Sequence, residues 1–374
     1  SNHSWGFHTM SGDATLDNEV VSLSEGLFGN TRAPEPVERV GVNVRANLTR
    51  LIGQTPMVFL NNVAPKSGAT IVCKLDSMNP STSTADRVAL AFIEGLEANG
   101  VITPHKSILV EATCGSGGAG LAFVGAVKGY KVICVIPEIV PAEKRTIMMA
   151  YGAELVVTPG TKGIAGAAYK ASQIVEENSH AVLIDQWEDE MTVTVHREST
   201  GPEIWSDTRG NVDVFVAPVG TGGTLTGVGQ YLKAMNPDCK IIAVEPSEAA
   251  VLSGHKVKPH KHVEMGIGSI PPLLDLDLVD EIFRVQYDQA VQASRQLAMK
   301  EGILAGPASG AAAFAALQIA KRPDMVDKLI VVLVSSSSEQ YLSTMYPDMR
   351  RYCQVQTFKT NRVTTPSKTK TPKA

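Results

Sequence analysis

The feature that most constrains this 374-residue chain is a repeated change of hydrophobic period. Short β-branched runs, TIVCK (70–74), SILVE (107–111), KVICVIP (131–137), ELVV (154–157), AVLID (181–185), DVFVA (213–217), KIIAVE (240–245) and LIVVLV (329–334), read as strands buried on both faces. Helical patterns follow them: Val88, Ala89, Phe92, Ile93 and Leu96 before Asn99-Gly100, then 118–128 before Gly129, 141–151 before Gly152, and 309–320. Strands alternating with helices over this length demand parallel sheets covered on both faces, and the number of strands predicts two of them. The expected fold class is α/β, as two doubly wound α/β domains with an interdomain cleft. Ligands in such folds sit at the carboxyl ends of strands, so the strand-to-helix loops are where chemistry is sought.

The pattern stops short of both termini. Residues 1–45 are polar and aperiodic and predict an arm; 46–190 and 191–356 predict the two α/β domains, with some exchange of chain between them. The tail 357–374, with five basic residues, no acid and two prolines, predicts disorder. With 44% hydrophobic and 19% charged residues the chain can bury a sizeable core, and a net charge of −4 offers no field for a polyanion. Nucleic acid is excluded as the expected partner, and a small molecule is favoured. No apolar run is long enough for a membrane span, and the start SNHSWGFHTMSGD carries no secretory pattern. Cys73, Cys114, Cys134, Cys239 and Cys353 are odd in number and scattered, which fits a reducing, cytoplasmic compartment rather than a disulfide framework or zinc site.

Three loops concentrate the chemistry. APVGTGGTLTG (217–227) leaves a strand and opens a helix, so that converging N–H groups and the helix dipole make a phosphate cradle. A tight turn that uses glycine only for its dihedrals is the plainer alternative, and the missing Lys-Ser/Thr argues against a nucleotide P-loop. EATCGSGGAGL (111–121) repeats the arrangement and suits a carboxylate. Cys114 in it is a candidate nucleophile with no adjacent His as base, and an inert buried thiol is commoner. In AGPASGAAAFAAL (305–317), Ser309 either caps its helix or turns its hydroxyl to a ligand. Gln186, directly after AVLID, is a candidate amide donor.

A fourth stretch, MNPSTSTADRVAL (78–90), has a turn, capping candidates in Ser83 and Thr84, and Asp86 in the first helical turn. At the helix mouth stands Ala85, which has no reactive group.

Taken in order, LIGQTPMVFLN (51–61), MNPSTSTADRVALAFIE (78–94), GLAFVGAVKGYK (120–131), HRESTGPEIW (196–205), PVGTGGTLTGVG (218–229) and EGILAGPASGAAA (301–313) resemble the cysteine synthase and cystathionine β-synthase family. The resemblance covers roughly residues 47–350. It implies the fold-type II architecture of pyridoxal-phosphate enzymes, usually homodimeric, working in cysteine and sulfur metabolism. It places the cofactor phosphate on Gly220, Thr221, Gly222, Gly223 and Thr224, the pyridine nitrogen on Ser309, and the cofactor's phenolic oxygen beside Ser116. It places a substrate carboxylate on Thr113, Cys114, Gly115 and Gln186.

Against the family pattern SxKDR, this chain has Ala85 in place of the Schiff-base lysine. The family loop TSGNT reads here Thr113, Cys114, Gly115, Ser116, Gly117, and NPAN reads Asp189, Glu190, Met191, Thr192. A methyl group neither tethers the cofactor nor moves a proton, and neither Lys74 nor Lys162 is placed at the cleft by pattern. The expectation is a catalytically inactive or attenuated paralog without covalent pyridoxal phosphate, though non-covalent binding is open. Its cleft would take a small amino acid or the C-terminal peptide of a partner. The alternative is an active β-replacement enzyme, acting on O-acetylserine or cysteine, whose lysine was replaced.

Overall fold

The protein is described from a computed structural model over residues 44–66 and 68–355; the tail and nearly all of the arm fall outside this span. Ten strands among the described residues form two sheets. Strands β3 (Ile108–Ala112), β4 (Lys131–Pro137), β5 (Glu154–Thr158) and β6 (Ala181–Leu183) make a wholly parallel four-stranded sheet in the order β5-β4-β3-β6. Strands β1 (Met57–Phe59), β2 (Thr70–Lys74), β7 (Val214–Pro218), β8 (Lys240–Pro246), β9 (Glu281–Val285) and β10 (Leu329–Leu333) make the second, ordered β1-β2-β10-β7-β8-β9. Only β1 runs antiparallel.

The helices are α1 (Ala85–Ala98), α2 (Ser116–Lys128), α3 (Ala142–Ala150), α4 (Gly163–Glu177), α5 (Met191–Val195), α6 (Gly201–Asp207), α7 (Gly223–Met235), α8 (Tyr287–Glu301), α9 (Pro307–Ile319), α10 (Leu342–Met345) and α11 (Pro347–Val355). A π-helical turn, His196–Thr200, joins α5 to α6.

Successive strand residues enter different cores, as the pleat requires of a sheet covered on both sides. Leu109, Val132, Cys134 and Ile136 pack on one face of the four-stranded sheet, and Val110, Ile133 and Val135 on the other. In the six-stranded sheet Val214, Val216, Ile330 and Val332 oppose Phe215, Ala217, Val331 and Leu333. Truncating such a side chain to Ala costs about 2–5 kcal/mol.

Each of the eight runs legible in the sequence forms a strand, with ends shifted by a residue or two. The edge strands β1 and β9 were not legible: β1 is three residues long and largely exposed, and β9 mixes charged with apolar residues.

Buried charges fix α1 to its surroundings. Arg87 pairs with Asp76 at 3.0 Å and Glu203 at 2.6 Å, while Lys74, fully buried on β2, pairs with Glu203 at 2.8 Å. Removing one member of such a set leaves an uncompensated charge, at about 3–5 kcal/mol.

Candidate functional site

Both sheets reverse their strand order once, and those reversals face one cleft. The chain proceeds β3-β4-β5 in one direction and returns to β6 on the other side of β3; likewise it proceeds β7-β8-β9 and returns to β10 beside β7. Loops leaving adjacent strands in opposite directions open a crevice at such a point. An open cleft lies there, lined by Ala85, Thr113 to Gly117, Gln186, Gly220 to Gly222, Thr224, Ser335 and Ser336 among others.

The mouth of α1 presents the Ala85 methyl to this cleft. Ser83 Oγ accepts the Ala85 N–H at 3.3 Å, whereas Thr84 makes no cap and donates to Asp76 at 2.8 Å. Asp86 turns back to accept from the Ser81 N–H at 2.7 Å, and burial pushes its carboxyl up to about 6. The helix start is thus fully built around an alanine methyl. Among the described residues lining the cleft there is no lysine. Lys74 belongs to the Arg87 network, and Lys162 is exposed in the 3-10 turn Gly160–Lys162.

The loop from β7 to α7 has the geometry of an anion cradle. Gly222 caps α7 with φ +89°, and a Cβ there would lie 2.8 Å from the Leu274 backbone, so both conformation and space require glycine. Gly220, Thr221, Gly222 and Thr224 line the cleft at the positive end of the helix; Gly223 is buried against Thr192 instead. Thr224 Oγ1 lies 3.1 Å from His196 Nε2, and His196 Nδ1 lies 2.9 Å from Thr200 Oγ1. Burial holds the His196 ring down to about 4, so it is neutral at pH 7 and bridges two hydroxyls. These features fit the phosphate of pyridoxal phosphate.

The loop from β3 to α2 is built differently, because charged side chains crowd it. Lys144, fully buried on α3, runs against Gly115, where a Cβ would meet its Cδ at 2.5 Å and Nζ at 2.7 Å; Gly115 adopts φ +146°. Lys144 Nζ donates to Ser116 Oγ at 2.8 Å, lies 4.3 Å from the Tyr341 ring centroid, and forms an ion pair with Glu264. The Glu264 carboxylate also accepts from Ser116 Oγ, and from Ser336 Oγ at 3.0 Å. Burial works against its ionisation, but the Lys144 charge and these hydrogen bonds outweigh it and hold the carboxyl below its ordinary value.

Two further groups alter this loop. Gln186 lines the cleft, but its amide donates to Glu111, a buried carboxyl at the end of β3 that burial pushes up to about 8. Any Cβ at position 117 would collide with Gln186 and Glu111, which accounts for glycine there. Thr113 Oγ1 accepts the N–H groups of Gly115 at 3.2 Å and Gly118 at 3.0 Å. Cys114 reaches the cleft, but burial pushes its thiol up to about 12, which opposes a thiolate nucleophile.

Ser309 stands behind the cleft wall. It is fully buried and does not line the cleft: its hydroxyl donates to the Ser336 carbonyl, accepts the Ser336 N–H, both at 3.2 Å, and lies 3.2 Å from Ser335 Oγ. The turn of α9 directs Ala308 toward the cleft instead. Lys144, Glu264 and Trp187 were not singled out in the sequence, and Glu111 and His196 appeared there only inside quoted motifs.

Comparison with known proteins matches the geometry. A family model described as "Pyridoxal-phosphate dependent enzyme" matches residues 48–336. A cysteine synthase of Staphylococcus aureus is 45% identical over 299 residues, spanning 80% of this chain and 96% of its own, and Cysteine synthase 3 of Caenorhabditis elegans is 42% identical, spanning 80% and 89%. Among solved structures, cysteine synthase from Entamoeba histolytica superposes with a TM-score of 0.77 at 36% identity, covering 85% of this chain and 94% of its own. An O-ureido-L-serine-bound lysine-to-alanine mutant of O-ureido-L-serine synthase superposes with a TM-score of 0.78 at 35% identity, covering 82% and 94%. With this agreement in sequence, fold and cleft, the chain belongs to the pyridoxal-phosphate-dependent enzyme family, as a cysteine synthase-like member of fold-type II.

Proposed function

We propose that the protein is a cysteine synthase-like member that has lost covalent pyridoxal-phosphate chemistry, or retains it in strongly attenuated form, and uses its cleft for binding or regulation. The observation that carries this reading is the Ala85 methyl at the mouth of α1, in a cleft whose described lining contains no lysine and whose adjoining Lys144 is buried and ion-paired with Glu264. Bound pyridoxal phosphate supplies an aldehyde and an electron sink to enzymes of this kind. Here Gly220 to Thr224 would hold a phosphate by backbone N–H groups, Thr224 being steadied by His196. Ser116 would face the ring, and Thr113, Cys114, Gly115 and Gln186 would surround a carboxylate. Neither a tether nor a base for the substrate proton is supplied from position 85.

On this reading the ligand is a small amino acid or the C-terminal peptide of a partner, and the protein is a cytoplasmic homodimer. Among the described residues no helix is long and apolar enough to cross a membrane. The competing reading, an active β-replacement enzyme carrying a replaced lysine, draws support from relatives named cysteine synthase. An absorbance spectrum with added pyridoxal phosphate, before and after borohydride, separates the two states of the cleft. The proposal expects no adduct fixed to a peptide; such an adduct on any lysine would overturn it. Calorimetric titration with C-terminal peptides tests the ligand class, and no binding at micromolar concentration would count against a peptide.

A further inference from the structure

We propose that Glu264 is a built-in occupant of the carboxylate subsite, an autoinhibitory side chain that reaches across the cleft and must be displaced before an amino-acid carboxylate can bind. The inference rests on the reading of residues 113–117 as a carboxylate-holding loop. Its observations are geometric. The Glu264 backbone lies against the phosphate-type loop, where a Cβ on Gly220 would approach the Glu264 carbonyl oxygen to 2.6 Å. From there its side chain extends to the opposite loop and accepts from Ser116 Oγ and Lys144 Nζ, with Ser336 Oγ at 3.0 Å on the other oxygen. Glu264 thus holds the Ser116 end of the loop whose Thr113 to Gly115 segment is read as the carboxylate holder, through hydroxyl and ammonium donors that also suit a ligand carboxylate.

The contact also joins the two halves of the protein. Lys144 and Ser116 belong to helices packed on the four-stranded sheet, whereas Ser336 and Tyr341 follow β10 of the six-stranded sheet. Lys144 reaches the carboxylate only because Gly115 has no side chain, and the Tyr341 ring backs the ammonium at 4.3 Å. A ligand carboxylate entering beside Ser116 would meet Glu264 first, and two carboxylates sharing one ammonium repel each other. Displacement frees Lys144 to pair with the incoming acid, so the ammonium is neutralised in either state.

The test compares L-serine with ethanolamine, which lacks only the carboxylate, by calorimetry and by the fluorescence of the cleft-lining Trp187. Glu264→Ala is expected to bind L-serine at least tenfold more tightly than the parent protein and ethanolamine no more tightly. Adding Lys144→Met should abolish the gain. If Glu264→Ala does not fold, Glu264→Gln keeps the shape, removes the charge, and is expected to gain at least threefold. L-serine affinity unchanged within twofold in the folded variant would overturn the proposal, as would equal gains for L-serine and ethanolamine, the mark of a merely enlarged cavity. Failure here leaves the loss of cofactor chemistry standing, since that is read separately from the borohydride experiment.

Discussion

The loops at 113–117 and 220–224 are the same device used twice and finished in opposite ways. Each leaves a parallel strand at a reversal of strand order and opens a helix with glycine at its start. The loop at 220–224 keeps its helix terminus facing the cleft, and its nearest ionisable support, His196, is neutral at pH 7. The loop at 113–117 is ringed by Lys144, Glu264 and Glu111, so its polar groups already have partners. A backbone that can bind an anion therefore binds one only if distant side chains leave it free.

Perturbing each loop in turn sharpens this contrast. The largest effect is expected from Ala85→Lys, which places an amine beside both loops. It should create a borohydride-fixed cofactor at position 85 and raise turnover of O-acetylserine by about 10²-fold from acid–base catalysis. Turnover that stays slow until Glu264→Ala is added would assign the remaining block to the 113–117 loop; full activity from the single change would erase the contrast.

Gly222→Val should break the open loop itself, by forcing a β-branched residue into φ +89° against the Leu274 backbone. A cost of about 1–3 kcal/mol in chemical denaturation is expected, with loss of binding to inorganic phosphate.

Glu111→Gln probes the crowded loop through pH. A carboxyl raised to about 8 in the folded state and near its ordinary value when unfolded binds more protons in the native protein between those limits. Stability therefore falls with rising pH in that window, by up to about 1.4 kcal/mol per unit. His196, held down to about 4, has the opposite sign, but its contribution is complete above roughly pH 6.5. Denaturant titrations between pH 6.5 and 8 should show the decline in the parent protein and a flatter profile in Glu111→Gln. An identical slope in both would remove Glu111 from the account.

The smallest effect belongs to His196→Phe, which deletes the link to Thr224. Phosphate affinity should fall about fivefold, the worth of one hydrogen bond of about 1 kcal/mol, with little change at 113–117.

What could be read in the sequence follows from how local each signal is. Strands such as KVICVIP and the mouth of α1 are written in consecutive residues, and both stand where periodicity and capping place them. Edge strand β9 depends on pairing with β8 and has no comparable pattern of its own. The exact setting of Ser309 was not legible, because a single helical position separates Ala308, which lines the cleft, from a residue hydrogen-bonded to the backbone of Ser336. Lys144 and Glu264 are 120 residues apart, so only the joining of both sheets reveals that they meet.

A tethered acid competes in a way that free metabolites do not. Because Glu264 is anchored beside the subsite it fills, its effective concentration there is on the order of millimolar, independent of the surrounding solution. A solute present at micromolar levels cannot win that contest through its carboxylate alone. It must grip the neighbouring phosphate-type loop or an outer surface as well, and the cleft thereby responds to molecules that satisfy both ends at once.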